Sequence, residues 1–136
     1  MVGSKLLGQN FNSPQYFQGR LCAEEVSGGT NFGSTNQTWL DEVKNRVKKI
    51  KAQFSLSSQQ DVPSDLVTIS SSGLDPHIGK ASAYLQIANV AKARHVSEDK
   101  IKQIIDQEIK KNSVLFFGEE LVNVLQLNIA LDTMLK

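Results

Sequence analysis

A single cysteine, Cys22, stands in the 136 residues, so no internal disulfide and no cysteine-rich zinc site can form. A lone cysteine of this kind reads as a small buried apolar residue rather than a nucleophile. Neither sign of charge is in excess: Lys plus Arg number 15 and Asp plus Glu 14. That balance excludes a whole-molecule field drawing the chain to nucleic acid or to an anionic membrane, and any charge-driven partner must be recognised locally. No run reaches the ~20 predominantly apolar residues that a membrane-spanning helix needs, and the start Met1-Val2-Gly3-Ser4-Lys5 lacks the apolar centre of a signal peptide. As written, the sequence is expected to be soluble. It has no repeat at a fixed period and no polar tract long enough to leave a large part unfolded.

What remains is an ordinary globular composition, 40% hydrophobic and 21% charged, in a length that suits one domain with a real core. Residues 3 to 36 are rich in Gly, Asn, Ser and Gln with short apolar clusters, which reads as irregular backbone with short extended pieces. Within it, Asn10 to Pro14 reads as a turn. From Asn36, a candidate N-cap, Trp39, Leu40, Val43, Val47 and Ile50 recur at helical spacing. Acids lead this helix and the run KNRVKKIK follows, which reads as a solvated helix end favoured by the dipole.

Leu66 to Ser70 reads as a short strand. A second helix is expected to bury a face of Ala81, Leu85, Ala88 and Ala91. A third begins at Ser97 and buries Ile101, Ile104, Ile105 and Ile109 before closing on Lys110, Lys111 and Asn112. In a fourth, Leu121, Val124, Leu125, Asn128, Leu131 and Leu135 share a face that Val122, Leu127 and Ile129 broaden. The expected fold class is α+β: a single domain, residues 1–136, of about four helices on a small mixed sheet drawn from residues 5 to 32, 66 to 70 and 114 to 117.

The stretch SSSGLDPHIG, residues 70 to 79, looks like chemistry because it holds serines, an acid and a histidine. A hydrolase would use Ser72, Asp75 and His77. Pro76, however, suits the first position of a helix and disfavours helical backbone at the residue before it, which places Asp75 at the N-cap with its carboxylate committed to local amides. The two glycines of a nucleophile elbow are not both present, and no further His or acid stands nearby at metal-ligand spacing. The expectation is therefore a turn, with no catalytic and no metal site. His95, beside Arg94, reads as an exposed histidine at a helix C-terminus. VSGGTNFGSTN, residues 26 to 36, could form an amide nest for an anion ahead of a helix, but lacks the Gly-Lys-Ser/Thr ending of a P-loop.

Six stretches in order, GSKLLGQNF (3–11), YFQGR (16–20), SGGTNFGSTN (27–36), SGLDPHIG (72–79), VAKARHVS (90–97) and LFFGEELVNVLQLNIALD (115–132), resemble the C subunit of the Kdp-type potassium-transporting ATPases. The sequence departs from the family at Leu21-Cys22, where Pro-Ser is usual, at Gly79, where Ser is frequent, and at Glu120, where Pro is common. The resemblance implies a non-catalytic accessory subunit that stabilises the pump complex and assists its ATP-hydrolysing subunit. It implies three partners: a channel-like potassium-translocating subunit, a P-type ATPase subunit and a small single-span subunit, with no nucleic acid. It also implies a cell-membrane location through one N-terminal transmembrane helix, missing from the present sequence, with the soluble domain on the extracytoplasmic side. Arg20, Leu74, Asp75 and His77 are then the candidate docking residues. The alternative is a nucleotide-binding chaperone that raises the ATP affinity of the pump, which would use Ser27, Gly28, Gly29 and Asn31. An extracytoplasmic domain does not meet cytoplasmic ATP, so no cofactor of the chain's own is expected and ATP enters through the complex.

Overall fold

The computed structural model describes residues 11, 13–20, 37–68, 75–113 and 117–135. It is an α+β arrangement of five helices, α1 (Gln37–Gln53), α2 (Lys80–Leu85), α3 (Ile87–Arg94), α4 (Glu98–Ser113) and α5 (Val124–Met134), with two short strands, β1 (His77–Gly79) and β2 (Leu121–Asn123). The strands pair antiparallel with Ile78 opposite Val122. Alternation along β1 turns Ile78 inward between half-buried His77 and Gly79, and Val122 on β2 is fully buried. Among the described residues the sheet is two-stranded, antiparallel and built from residues other than those expected, while residues 5–10, 12, 21–32, 69, 70 and 114–116 of the expected sheet lie outside the described residues.

The central helix is α4, and its sequence explains why. Ile101, Ile104, Ile105 and Ile109 fall on one stripe and are all buried, Glu98 and Asp99 stand in the first turn, and Lys110 and Lys111 stand in the last. α5, α3 and the sheet pack on this stripe, placing Val90, Val122, Leu127 and Leu131 in one cluster with Ile78 and Phe17. α3 stops at His95, whose left-handed backbone (φ 56°) lets the Val96 amide return 3.0 Å to the Ala91 carbonyl. His95 is exposed, as its place at a helix end implied.

Several expectations are corrected. Residues 66–68 form no strand: Pro63 fixes the entry to a 3-10 turn at Ser64–Leu66, the Thr68 hydroxyl folds back onto the Ser64 carbonyl at 2.8 Å, and Ser70 lies outside the described residues. Of the proposed 5–32 sheet, residues 13–20 are turn and irregular chain, with Tyr16 N bonded to Ser13 O. Of 114–117, only Phe117 is described, and it sits in a turn with positive φ. The second helix is two, because the chain bends at Gln86, and this bend resets the helical phase. Ala81 and Ala88 therefore face solvent, while Ser82, Ala83, Ile87, Val90 and Ala91 are buried. The fourth predicted helix begins as β2, and Ile129 is half exposed instead of broadening the buried face.

Candidate docking site at Arg20, Asp75 and His77

The site begins with a stretch of chain that has no secondary structure of its own. Ser13 to Tyr16 make a turn, after which Phe17 and Gln18 run extended between α2–α3 and α5. Buried backbone polar groups need partners, and here two side-chain amides supply them. Asn128 of α5, fully buried, accepts from the Phe17 amide through Oδ1 at 2.8 Å and donates Nδ2 to the Phe17 carbonyl at 3.0 Å. Gln86, equally buried at the α2–α3 bend, accepts from the Gln18 amide at 2.8 Å and donates to the Gln18 carbonyl at 3.0 Å. Each carboxamide offers one donor and one acceptor in the pattern of a neighbouring strand. A second tether stands beside it: the Tyr16 hydroxyl donates to Asp132, Arg94 pairs with Asp132 at 2.8 Å and covers the Tyr16 ring, and Arg94 Nε donates to the Gln15 carbonyl.

This double clamp delivers Arg20 to Asp75. Arg20 Nη1 lies 3.2 Å from Asp75 Oδ2, with both side chains partly exposed. The other carboxylate oxygen accepts from the His77 amide at 3.0 Å and lies 3.1 Å from His77 Nδ1. Burial alone would raise the Asp75 pKa, but the His77 amide, the His77 ring and the Arg20 charge together hold it below the usual carboxylate range. Arg20 Nε, out of solvent, has no hydrogen-bond partner among the described residues.

Asp75 does not take the helix-capping role expected of it, and α2 has no side-chain cap: its N-cap residue is Gly79. The residues after Pro76 enter β1 because Ile78 is needed in the core and the Val124 amide takes the Pro76 carbonyl, so α2 starts only at Lys80 with Gly79 before it. Asp65, from the 3-10 turn, reaches across to accept from the Gly79 amide at 2.8 Å and from the Ser82 hydroxyl. Asp75 instead braces its own turn through His77 and binds Arg20. Asn123 caps α5 by accepting from the Gln126 amide at 3.1 Å.

Of the candidate residues, Arg20, Asp75 and His77 come together. Leu74, Ser72 and the nucleotide candidates Ser27, Gly28, Gly29 and Asn31 lie outside the described residues. Among the described residues no three His, Cys, Asp or Glu side chains are placed to hold a metal ion, and no helix is long and apolar enough to cross a membrane. The sequence reading missed Gln86, Asn128 and Asp65. Asn128 is a polar residue in a position that helical spacing assigns to the core, and that mismatch was the available signal, whereas Gln86 fell off the expected core face of its helix and gave none.

Fold and site together define a small α+β domain that presents a half-exposed, ion-paired loop cluster held by buried amides. Residues 1–133 match the family described as KdpC: K+-transporting ATPase, c chain. Over 141 residues, 98% of this chain and 73% of the relative, it is 47% identical to the potassium-transporting ATPase KdpC subunit of Paraburkholderia phytofirmans. Identity to the KdpC subunit of Bacteroides thetaiotaomicron is 42% over 138 residues, 97% of this chain and 73% of that one. For the KdpC subunit of Caldanaerobacter subterraneus subsp. tengcongensis it is 39% over 134 residues, covering 96% and 69%. The chain belongs to the KdpC family of potassium-transporting ATPase subunits.

Proposed function

We propose that the chain is a non-catalytic accessory subunit of an ATP-driven, high-affinity potassium uptake complex, where it stabilises the assembly and assists the ATP-hydrolysing subunit. The match along residues 1–133 carries this reading. Its partners are the channel-like potassium-translocating subunit, the P-type ATPase subunit and the small single-span subunit. The domain works on the extracytoplasmic side of the cell membrane, tethered by an N-terminal transmembrane helix of the full-length subunit, and it holds no cofactor of its own.

At the residue level, Arg20, Asp75 and His77 are the docking point. Arg20 supports this assignment because its Nε–H is withdrawn from water with no acceptor among the described residues, a costly state that a partner's carbonyl or carboxylate would relieve. Asp75 and His77 beside it keep enough exposure to be reached. The test is co-purification of the other pump subunits with the full-length subunit carrying Arg20→Glu, after circular dichroism shows that the variant folds. The expected result is loss of the partners and of potassium-limited growth; undiminished assembly contradicts this docking point. Nucleotide binding at Ser27, Gly28, Gly29 and Asn31 is read separately: a rise of the chain's melting temperature with ATP, abolished by changing Gly28 and Gly29, would replace the passive reading with the chaperone one.

A further inference from the structure

Helix α1 carries more positive charge than its own C-terminus uses. Five cations, Lys44, Arg46, Lys48, Lys49 and Lys51, follow two acids, Asp41 and Glu42. The helix runs to Gln53, so only Lys51 stands in the last turn, and the dipole's attraction for a cation fades beyond that turn. Lys44 and Lys48 therefore need another explanation than a favoured helix end. Both are exposed, and neither forms an ion pair among the described residues.

Arg46 fixes which way these lysines face. Its Nη1 donates to the Val67 carbonyl at 3.1 Å and its Nη2 pairs with Glu42 at 3.1 Å, fastening that side of α1 to the body. At about 100° per residue, Lys44 and Lys48 both lie about 160° round the axis from Arg46. Lys51 continues the row one turn on, with its Nζ on the exposed Ser58 carbonyl. Asp41, which accepts from Gln37, is the acid of this face, leaving three cations against one carboxylate. Half-exposed Leu40 and Val47 border the row.

We propose that the Lys44–Lys48–Lys51 row docks on the anionic phospholipid headgroups of a bilayer, laying α1 along the membrane surface. A straight row of outward cations with an apolar border is complementary to such a surface, and a helix of this kind lies in the interface without crossing it. The inference rests on reading the chain as part of a membrane-borne pump, and it is independent of the contact at Arg20.

Flotation of the chain with vesicles tests it. The chain should float with phosphatidylglycerol-containing vesicles at low salt, lose this as salt rises, and stay behind with phosphatidylcholine alone. Lys44→Glu/Lys48→Glu should weaken binding by roughly thirtyfold or more. Lys100→Glu/Lys110→Glu, the same change of charge on exposed α4 positions, should leave it unchanged. If the first variant loses helix content by circular dichroism, Lys44→Gln/Lys48→Gln replaces it, with the same direction expected. The proposal is overturned if the wild-type chain does not float, if the two variants weaken alike, or if heparin or duplex DNA binds as tightly as the vesicles. Such a failure leaves pump assembly with Arg20 intact, so the two readings fall separately.

Discussion

Residues 16–20 and helix α1 are fastened to the same body in opposite ways. The first has no regular structure, yet Phe17 is fully buried and both its backbone polar groups are satisfied by Asn128. The second is a regular helix of 17 residues that buries none of them. α1 adds nothing to the central cluster, and Phe54, Leu66 and Val67 are buried apart from it. Regularity and anchoring are therefore separate properties: hydrogen-bonded periodicity satisfies a helix internally, whereas an irregular segment can be buried only if other residues supply its partners. The segment that needs its neighbours is the one that carries Arg20 to Asp75.

The largest expected effect comes from removing the clamp. Asn128→Ala leaves the Phe17 N–H and C=O buried without partners, which should cost about 2–4 kcal/mol in urea unfolding. Gln86→Ala should cost less, about 1–3 kcal/mol, because Gln18 is only half buried and water can reach its backbone. Asp65→Ala removes the acceptor of the Gly79 amide and the Ser82 hydroxyl and should lower stability by about 1 kcal/mol in thermal melts. Val47→Ala on α1 should cost under about 1 kcal/mol. Were it to cost as much as Asn128→Ala, the contrast between the two regions would be wrong.

The smallest effect is at Asp75, visible mainly as a pH dependence. Because folding holds this carboxyl below its ordinary range, its contribution is present above that range and is lost as pH falls through the lowered folded value. Acid titration of stability in Asp75→Asn should be shallower than in the wild type below about pH 4, and unchanged near neutrality apart from a small offset. An equal acid slope would mean that Arg20 and His77 do not hold the carboxylate.

The legible part of the fold follows from periodicity. The four isoleucines of α4, with acids before and lysines after, specify that helix completely, and α1 was equally plain. The α+β class could also be read, whereas Arg20, Asp75 and His77 were named as candidates through family resemblance alone, and that Arg20 meets the other two was not legible in the sequence. Tertiary partners overrode the rest. Asp75-Pro76 has the local chemistry of a helix start, but pairing of Ile78 with Val122 draws the chain into a strand first, and α2 begins after Gly79, whose amide is held by Asp65, ten residues before Asp75 in the chain. Likewise, the one predicted helix is split into two at Gln86, whose carboxamide serves the backbone of Gln18, 68 residues away. Local propensity contains neither fact.

The central claim is that side-chain amides, in place of a sheet, lock the segment that presents Arg20. Native-state hydrogen exchange of the Phe17 and Gln18 amides tests it most directly. Both should exchange only with global unfolding, as slowly as the core of α4, and Asn128→Ala should release Phe17. Exchange of these two amides at the rate of an open loop in the wild-type chain would contradict the account.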